Sequence, residues 1–470
     1  MMFDSDRKTI LLTLLVVSLV LFTPAIAKWV IDDRTYSSED TYYNLRLVQQ
    51  FGKNTEEHKD ILQDREYDFN LFHYVFFRLN IKTDMMAKIL PPLLGIFSLI
   101  LVYVLLKSLN LGHNDIFFAL IILATTPVFL YNFTTFSPEI LAMPIFLGGL
   151  ILFTRGNYLS ALLFGLTPFF NIFYAVIAVI LLVGDYIIRN KRRLILAANL
   201  AAILSASLIG VLLFRINYLS SFVPLMSGLN GVLIEFGAIK GYAFVTIGLA
   251  MLGLFSWWKK EPSRTAVLIS VILMVFVSVF FEEARLPIAV IFAVFAAFSV
   301  SYLTNREWEI FVLKGVTLLL ILCILFFSAV LALNFQVKNI SEKETVAISY
   351  LASAGESDII LSTENNGFII EYLSGREAYL DSKSYKFQDY EERKGLADRI
   401  YYSRNLNELE GILKQEKITH ILITNEMRSG QVWSGRYEGL LFFLETSEKF
   451  IKIFYDENIQ IYRYMGDGGK

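Results

Sequence analysis

The stretch Ser38–Phe51, which reads SEDTYYNLRLVQQF, stands just after a long apolar segment that ends near Ala27. It combines a pair of carboxylates, a pair of tyrosines and an arginine within a short length of chain. Charged side chains beside a bilayer are costly unless they are solvated, paired or used in function. This stretch therefore indicates a functional surface region next to a membrane-spanning segment.

The composition is that of a membrane protein. The chain has 470 residues, of which 55% are hydrophobic, and its mean hydropathy is +0.53. Repeated runs of about 18 or more apolar residues are typical of transmembrane helices. The net charge of -2 gives no indication of a nucleic-acid partner. The single cysteine, Cys323, lies in an apolar run, where a thiol stays protonated and unreactive.

The apolar runs predict about eleven transmembrane helices. We expect the first to be retained rather than cleaved as a signal peptide. The pair around Tyr158–Pro168 and Asn171–Ile188 is short and predicts a hairpin that turns at Pro168 and Asn171. The remaining predicted spans are Thr9–Ala27, Ala87–Leu106, Asp115–Tyr131, Glu139–Phe153, Leu194–Phe214, Lys240–Trp258, Thr265–Phe281, Leu286–Leu303 and Phe311–Asn334.

Basic residues between these spans fall on alternate loops. The positive-inside rule places those loops in the cytoplasm, together with the N-terminus. The basic positions are Arg7, Lys8, Lys107, Arg155, Arg189–Arg193, Lys259, Lys260, Arg264 and Arg306. The opposite, outer side then receives residues 28–86, 132–138, 215–239 and 282–285. Because the number of predicted spans is odd, the C-terminal tail is also expected outside.

The tail from about Asn339 differs in composition from the rest of the chain. It is rich in charge and alternates short apolar strands with helical segments. The predicted strands are Asp358–Ser362, Thr419–Thr424 and Ile459–Tyr464, and the predicted helices are Leu396–Lys414 and Gly439–Glu448. The sequence therefore predicts a transmembrane domain over residues 1–338, whose outer loop 28–86 carries the acidic motif, and an extracytoplasmic α/β domain over residues 339–470.

Acidic residues collect on the predicted outer side. Such carboxylates can act as a general base or hold a divalent cation through oxygen, and an arginine beside them can clamp a phosphate. These are the needs of glycosyl transfer from a lipid-phosphate sugar, whose tail lies in the bilayer and whose anomeric carbon lies at the surface. The candidates are Asp40 with Glu39, Glu139 in Phe-Ser-Pro-Glu, Glu235 in Val-Leu-Ile-Glu, and Glu282-Glu283 before Arg285.

Simpler interpretations stay open for three of these places. Glu139 follows Ser-Pro at a predicted helix start, where a carboxylate also favours the helix dipole. Glu235 is a lone acid in an apolar loop and can likewise serve as a helix cap, and Glu282 and Glu283 can pair with Arg285. The four histidines show no spacing typical of metal ligands. Asp40, with its tyrosines and arginine, is the strongest functional candidate.

The segment Asp40-Thr-Tyr-Tyr-Asn-Leu-Arg46 resembles the Asp-x-Tyr-Tyr-His-Leu-Arg motif in the first outer loop of archaeal oligosaccharyltransferase catalytic subunits. These belong to the GT-C superfamily of polyprenyl-phosphate-sugar-dependent glycosyltransferases. The resemblance implies that Asp40 is a metal-binding catalytic carboxylate. The Glu139 turn is similar in position to the second acidic motif of the family, with one acid in place of the usual two. Glu235 is similar to the acid of a later Thr-Ile-x-Glu element, and Arg285 with Pro287 resembles an Arg-(Phe/Leu)-…-Pro helix start.

The tail departs from this family at one point. Ser362–Asp381 aligns with the start of the oligosaccharyltransferase soluble domain, where the family carries Trp-Trp-Asp-Tyr-Gly to read the acceptor sequon. Here the corresponding residues Thr363–Gly367 read Thr-Glu-Asn-Asn-Gly, so only the glycine is shared. This departure argues against a sequon-specific oligosaccharyltransferase and leaves a GT-C glycosyltransferase as the prediction.

We therefore predict a polytopic α-helical membrane protein of GT-C type with a C-terminal extracytoplasmic α/β domain. It is expected to move a sugar from a polyprenyl-phosphate-linked donor to a protein, lipid or glycan acceptor at the outer membrane surface. The predicted catalytic residues are Asp40 and Glu139, the substrate contacts are Tyr42, Tyr43, Arg46 and Arg285, and the ligands of a Mg or Mn ion are Asp40, Glu139 and Glu235.

Two other classes stay open. A GT-C-like scaffold that has lost activity and serves in assembly is suggested by the missing Trp-Trp-Asp-Tyr-Gly block and the incomplete second acidic motif. A lipid or sugar transporter would place its charges at mid-membrane along discontinuous helices. The predicted spans are nearly free of charge, which disfavours the transporter.

Overall fold

The computed structural model describes residues 2–30, 35–36, 38–51, 59–60, 65–66, 69–79, 83–189, 193–214, 231–236, 238, 240–260, 265–337, 342–353, 358–386, 389–435 and 437–466. Contacts divide the chain into two compact units. Met1–Val30 and Asp68–Lys338 form the first, which we call the helical unit. Ile31–Tyr67 and Asn339–Lys470 form the second, which we call the α/β unit.

The helices, in chain order, are α1 (Met2–Val30), α2 (Glu39–Gln50), α3 (Leu71–Leu79), α4 (Thr83–Ser108), α5 (His113–Thr125), α6 (Pro127–Asn132), α7 (Glu139–Thr154), α8 (Leu159–Phe170), α9 (Ile172–Arg189), α10 (Arg193–Phe214), α11 (Phe244–Lys260), α12 (Thr265–Phe280), α13 (Arg285–Asn305), α14 (Phe311–Val337), α15 (Glu342–Tyr350), α16 (Gly367–Ser374), α17 (Tyr390–Tyr401), α18 (Leu406–Gln415) and α19 (Leu440–Thr446). The strands are β1 (Lys59–Asp60), β2 (Arg65–Glu66), β3 (Ile359–Leu361), β4 (Glu377–Ala378), β5 (Ile418–Thr424), β6 (Phe450–Tyr455) and β7 (Ile459–Tyr464).

The helical unit carries the features of a multi-pass membrane protein. Within the described ranges, five helices are long and apolar enough to cross a membrane, and further apolar helices of 10–17 residues accompany them. A bilayer core of about 30 Å needs roughly 20 residues of helix, which the long helices supply. The five are Thr13–Val30, Met86–Ser108, Arg193–Phe214, Glu282–Asn305 and Val312–Asn334. A count of about eleven spans and the orientation of the termini stay predictions.

Helix α13 lies at the centre of the helical unit. The apolar stretch that contains α13 is 72% buried, whereas the apolar stretches of α10 and α14 are each 22% buried. Gly253 of α11 lies directly against the carbonyl oxygen of Phe295, and Ser299 Oγ donates to Leu249 O at 2.6 Å. A small residue at a helix contact lets two backbones approach closely, as is common between membrane helices. This central helix begins at Arg285, so it carries a predicted site residue at its first turn.

The predicted short hairpin is present as α8 and α9, but its turn differs in one detail. Asn171 has an extended backbone (φ -164°, ψ 118°) and ends α8, as expected. Pro168 was expected at the turn as well, and this was wrong, since the helix continues through it to Phe170. A proline leaves the carbonyl four residues earlier without its usual donor. Thr167 Oγ1 donates to that carbonyl, Phe164 O, at 2.7 Å and so allows the helix to continue.

The α/β unit is built on a mixed five-stranded sheet in the order β4-β3-β5-β7-β6. Strand β3 runs parallel to β4 and β5, while β7 is antiparallel to β5 and β6. The three predicted strands are confirmed as β3, β5 and β7. The predicted helix Leu396–Lys414 is instead the pair α17 and α18, because Asn405 is extended and its side chain caps α18 by accepting from Asn407 N.

The α/β unit also contains a segment from near the N-terminus. Sequence-based limits grouped residues 28–86 with the transmembrane domain, whereas Ile31–Tyr67 cluster with the C-terminal segment in the structure. The reason is that α2 packs on α16, with the Tyr43 and Phe368 rings 4.6 Å apart and an ion pair between Arg46 and Glu371. The Asp40 motif and the C-terminal block therefore lie in the same compact unit.

Gly367, at the start of α16, has a steric role. A Cβ atom at this position would lie 2.5 Å from both Leu380 O and Asp381 Cβ. We expect Gly367→Ala to lower the free energy of unfolding by about 1–3 kcal/mol, because backbone atoms must shift to admit the methyl group. Gly411→Ala is the control, since its Cβ would meet nothing within 4 Å and alanine favours a helix interior by about 0.5–1 kcal/mol. Hydrogen–deuterium exchange of peptides around residues 367–381 measures the effect, and equal protection in the two variants would contradict it.

His420, on the central strand β5, couples stability to pH. Burial lowers the pKa of His420 below its ordinary value of 6.5. The positive charge of Arg463 lowers this pKa further, while the negative charge of Asp358 raises it in part. Near pH 6.5 the unfolded chain therefore holds more protons at this residue than the folded chain does, so acidification favours unfolding. We expect the melting temperature to fall as pH drops from 7.5 through this range, and to fall less in His420→Gln. An identical pH dependence in variant and wild type would rule out this contribution.

Candidate functional site

The Asp40 motif forms the first turns of helix α2. Ser38 caps the helix, since its Oγ accepts a hydrogen bond from Asp40 N at 3.2 Å. Asp40 and Glu39 lie in the first turn, where carboxylates are favoured by the helix dipole. Asn44 Nδ2 donates to Asp40 O at 2.7 Å and ties the next turn to this residue. The cap and the helix together fix the backbone that carries the Asp40 carboxylate.

Asp40 is paired with a lysine from the C-terminal segment. Lys383 Nζ lies 3.6 Å from Asp40 Oδ1, and the Asp40 side chain is 12% exposed. The same ammonium lies 3.6 Å from the centroid of the Tyr43 ring and 5.7 Å from that of Phe368. An ammonium over an aromatic face is stabilised by about 0.5–2 kcal/mol. A carboxylate, an ammonium and two rings thus form one cluster, which we call the Asp40–Lys383 cluster.

Arg46, two turns further along α2, is buried in an ion pair. Its Nη1 lies 3.1 Å from Glu371 Oε2, and the two side chains are 5% and 0% exposed. Burying one charge of such a pair without the other costs several kcal/mol, so the two residues require each other. The guanidinium that was predicted to contact substrate is therefore placed, in this structure, in the contact between α2 and α16.

The two tyrosines of the motif have different surroundings. Tyr42 is 2% exposed, and its hydroxyl accepts from Tyr36 N at 3.1 Å. Its ring packs edge-on against Tyr36 and Tyr372, at centroid distances of 5.0 and 5.5 Å. Tyr43 instead stacks near Phe368 and supports Lys383. Of the two, Tyr43 is the one that belongs to the Asp40–Lys383 cluster.

In the helical unit, Glu139 is the first residue of α7 and lies beside the turn between α8 and α9. Asn171 Nδ2 donates to Glu139 Oε1 at 3.3 Å, and Tyr174 lies within electrostatic reach of the same carboxylate. The Tyr174 hydroxyl is buried and has no hydrogen-bond partner in the part of the chain that the structure describes. The same holds for the hydroxyls of Thr135 and Ser137, in the turn before Glu139. Buried polar atoms normally have a partner, so this region has hydrogen-bonding capacity to offer a ligand or water.

Arg285 is 1% exposed at the start of α13. Its Nε donates to Ser278 O at 3.2 Å, its Nη1 donates to Gly231 O at 2.7 Å, and Glu282 Oε1 lies 3.6 Å from Nη1. Across the described residues, Nη2 has no hydrogen-bond partner. The guanidinium therefore fixes the backbone around it and keeps one donor group for another ligand.

Glu235 has a structural partner. Its Oε1 accepts from Phe244 N, the first residue of α11, at 3.0 Å. A carboxylate at a helix N-terminus satisfies one of the free backbone N–H groups and favours the dipole. This geometry matches the simpler interpretation of a lone acid that stabilises a helix start.

The described residues do not form a set of ligands for the predicted divalent cation. Among them, no group of three or more His, Cys, Asp or Glu side chains is placed to hold a metal ion. Asp40 already faces the ammonium of Lys383, whose positive charge opposes a cation at the same oxygen. The described residues therefore do not fit a bound metal, and we derive no step through one.

Several residues of these sites were not predicted from the sequence as functional. Lys383 and Glu371 lie more than 300 positions from α2 along the chain, and only the fold brings them to Asp40 and Arg46. Glu371 had one usable signal, because an acid inside the apolar run Gly-Phe-Ile-Ile-Glu-Tyr-Leu needs a partner when buried. Asn171 was recognised as a turn residue but not as a partner of Glu139.

No protein-family model and no curated protein matches the chain. Solved structures do match its fold. The archaeal oligosaccharyltransferase AglB from Archaeoglobus fulgidus, in complex with an inhibitory peptide and a dolichol-phosphate, has a TM-score of 0.59 at 13% identity and covers 89% of this chain and 69% of that one. Another structure of an A. fulgidus oligosaccharyltransferase is a complex with Zn and sulfate.

Two other solved structures are similar. ArnT from Cupriavidus metallidurans, bound to undecaprenyl phosphate, has a TM-score of 0.56 at 10% identity and covers 96% of this chain and 97% of that one. The arabinofuranosyltransferase AftD from Mycobacteria has a TM-score of 0.54 at 13% identity and covers 99% of this chain and 40% of that one. All three are GT-C glycosyltransferases, so the GT-C resemblance is confirmed at the level of the fold.

The Arg46–Glu371 pair generates a stability prediction. Glu371→Gln removes the carboxylate charge that faces a buried guanidinium, so we expect the free energy of unfolding to fall by up to about 3–5 kcal/mol. The double variant Arg46→Met/Glu371→Met removes both charges and is expected to lose less than Glu371→Gln alone. Hydrogen–deuterium exchange of peptides from α2 and α16 in the full-length protein gives the measurement.

A surface pair provides the control. Glu408 pairs with Arg399 at 2.6 Å, with side chains 47% and 58% exposed, and Glu408→Gln is expected to cost less than about 1 kcal/mol. If Glu371→Gln were no more destabilising than Glu408→Gln, the pair would not anchor α2.

Proposed function

We propose that this protein is a membrane glycosyltransferase that moves a sugar from a polyprenyl-phosphate-linked donor to an acceptor at the outer membrane surface. The observation that carries the proposal is the shared GT-C fold. Two of the similar structures contain a polyprenyl phosphate, namely dolichol-phosphate in AglB and undecaprenyl phosphate in ArnT. The Asp40 motif supports it further, because a partly exposed carboxylate stands at the capped start of a helix, in the motif that resembles the oligosaccharyltransferases.

The proposed reaction is a displacement at the anomeric carbon. An acceptor group attacks that carbon, its proton passes to the Asp40 carboxylate, and the bond from the sugar to the phosphate oxygen breaks. The polyprenyl phosphate leaves with the electron pair and gains a negative charge. Positive groups near this oxygen lower the barrier because the charge develops there during the reaction.

Glu139 and Arg285, both in the helical unit, are proposed as substrate contacts. Glu139, with Asn171 and Tyr174 beside it, offers acceptors and donors that suit the hydroxyls of a sugar. Arg285 offers its Nη2 group to a phosphate, while its other nitrogens hold the surrounding backbone. Arg46 and Tyr42 are proposed to support the site by positioning α2, and Tyr43 by supporting Lys383. Glu235 is proposed to act through the start of α11.

The orientation follows from the charge pattern of the loops. We place the N-terminus in the cytoplasm and the α/β unit outside, on the positive-inside rule. We keep 1–338 and 339–470 as the proposed domain limits along the sequence. Ile31–Tyr67 belong to the first of these segments in sequence but to the α/β unit in the structure. A protein, lipid or glycan acceptor is compatible with the Thr363–Gly367 block, which lacks the aromatic residues of the oligosaccharyltransferase motif.

A Mg or Mn ion bound by Asp40, Glu139 and Glu235 stays a prediction. Its support is the resemblance of the Asp40 motif and the Zn and sulfate in one similar structure. The described residues of this chain do not supply an assembled ligand set. The proposed roles of Asp40, Glu139 and Arg285 do not require a metal ion.

Asp40→Asn is the direct test of the proposed reaction. Loss of the base is expected to reduce transfer by about 10²–10⁴-fold while the protein stays folded, because the amide keeps the shape of the side chain. The assay follows release of polyprenyl phosphate by full-length protein in nanodiscs, using undecaprenyl and dolichyl phosphate that carry a radiolabelled hexose or pentose.

Asp389→Asn is the matched control. Asp389 is an exposed carboxylate of the same unit that pairs with Arg393 at 2.6 Å, and its substitution is expected to leave transfer unchanged. Full activity in Asp40→Asn would refute the mechanism. Absence of donor binding and turnover in the wild-type protein would favour the inactive scaffold instead.

A further inference from the structure

We propose that Lys383 is a donor-binding residue, whose ammonium binds the phosphate of the lipid-linked donor and supplies beside Asp40 the positive charge that a divalent cation would otherwise provide. The inference rests on the proposed function and adds to it a residue of the α/β unit that contacts the leaving group. Its observations are the place of Lys383 in the Asp40–Lys383 cluster and the lack of an assembled metal-ligand set among the described residues.

The backbone at Lys383 is held in a tight turn. Lys383 N donates to Asp381 Oδ1 at 2.7 Å, and Asp381 N donates to Ser384 Oγ at 2.9 Å. Asp381 and Ser384 are both fully buried, so this turn is anchored in the interior of the α/β unit. The backbone that carries the Lys383 side chain is therefore ordered before any ligand binds.

The ammonium is also held at a defined place. Nζ lies 3.6 Å from the Tyr43 centroid and 3.6 Å from Asp40 Oδ1, so a ring and a carboxylate orient it together. The Lys383 side chain is still 24% exposed, which leaves room for a further anionic group. An ammonium has three donors and can contact a carboxylate and a phosphate at once.

The other cation of the motif has a different position. Arg46 is 5% exposed and faces Glu371, which is 0% exposed, so its charge is used in the interior. Lys383 is therefore the better placed of the two to meet a ligand. Its charge also solves an electrostatic problem, because the Asp40 carboxylate and a donor phosphate repel each other unless a cation lies between them.

In the proposed reaction the ammonium acts on the leaving group. When the bond from the anomeric carbon to the phosphate oxygen breaks, the departing phosphate gains a negative charge, and Lys383 neutralises it without losing its proton. Asp40 takes the acceptor proton, as in the proposed reaction. Charge is conserved, and the step needs no reactant beyond donor and acceptor.

Binding of unsubstituted undecaprenyl phosphate to full-length protein in phosphatidylcholine nanodiscs tests the proposal. We expect Lys383→Gln to weaken binding by about ten- to a hundredfold, the range for losing a charge-assisted hydrogen bond. Lys383→Arg keeps the charge and is expected to restore most of the affinity. Wild-type binding is expected to be unchanged by EDTA and by added Mg²⁺ or Mn²⁺.

Lys394→Gln is the matched control. Lys394 is another lysine of the α/β unit that pairs with a carboxylate, Glu364 at 3.5 Å, and lies over a tyrosine ring, Tyr390 at 5.2 Å. Its substitution is expected to leave binding unchanged, and equal melting temperatures of the two glutamine variants would show that the loss at Lys383 is not a folding defect.

The outcomes separate two kinds of failure. If wild type binds undecaprenyl phosphate and Lys383→Gln binds it equally well, the assignment of Lys383 is wrong and the proposed function stands. Wild-type binding that EDTA abolishes and Mg²⁺ or Mn²⁺ restores would also overturn the assignment, because a metal would then carry the charge. If wild type binds neither undecaprenyl nor dolichyl phosphate, the assignment and the proposed function both fail.

Discussion

The buried ion pair between Arg46 and Glu371 is the constraint that fixes helix α2 within the α/β unit. Helix α2 has only 12 residues, and an isolated helix of about that length is marginal in water. It therefore needs a partner surface, which α16 supplies through the Tyr43–Phe368 contact and the ion pair. Both side chains are almost fully buried, so removing either charge is expected to destabilise the contact. A helix from the start of the chain is thus fixed against a segment from its end.

That fixed contact determines what surrounds Asp40. Asp40 lies six positions before Arg46 on the same helix, and Lys383 lies in the turn 381–384, whose first residue packs against Gly367 at the start of α16. In this arrangement the Asp40 carboxylate, on the same helix, lies 3.6 Å from the Lys383 ammonium. A structural ion pair in the interior therefore positions a more exposed pair that has capacity for a ligand. The two pairs share a helix but differ in burial, and this difference separates the anchoring pair from the pair proposed to bind a ligand.

The sequence predicted the features that depend on local pattern. Apolar runs predicted the membrane helices, and the buried strand at Thr419–Thr424 was recognisable because its residues are almost all apolar or β-branched. Strand β4 has only two residues, too few for any periodic pattern, and α16 was missed because its apolar run equally suits a short strand. The continuation of α8 through Pro168 depends on the Thr167 hydroxyl, a compensation that a general rule about proline does not include.

Long-range contacts were beyond reach of the same reasoning. The motif around Asp40 indicated function by its composition, yet nothing within it identified Lys383 or Glu371, which lie more than 300 positions away. Glu235 shows the opposite case, since a lone acid before an apolar helix had an interpretation as a helix-start residue, and its bond to Phe244 N matches it. Local sequence rules can predict the role of a residue that acts at one helix end. They cannot predict an ion pair between two segments that are distant in the sequence.

Of the Thr363–Gly367 block, only the glycine is shared with the oligosaccharyltransferase motif, and the structure gives a steric reason for it. Gly367 is required by packing, because a Cβ atom would collide with Leu380 O and Asp381 Cβ. The residues before it serve other contacts, since Asn366 Nδ2 donates to Ser362 Oγ and Glu364 accepts from the Tyr390 hydroxyl. The glycine is therefore required for packing. The four residues before it are polar, and Glu364 and Asn366 among them make hydrogen bonds, in place of the aromatic side chains of the oligosaccharyltransferase motif. In the proposed function this departure concerns the acceptor, whereas the Asp40–Lys383 cluster, which contains none of these four residues, concerns the donor.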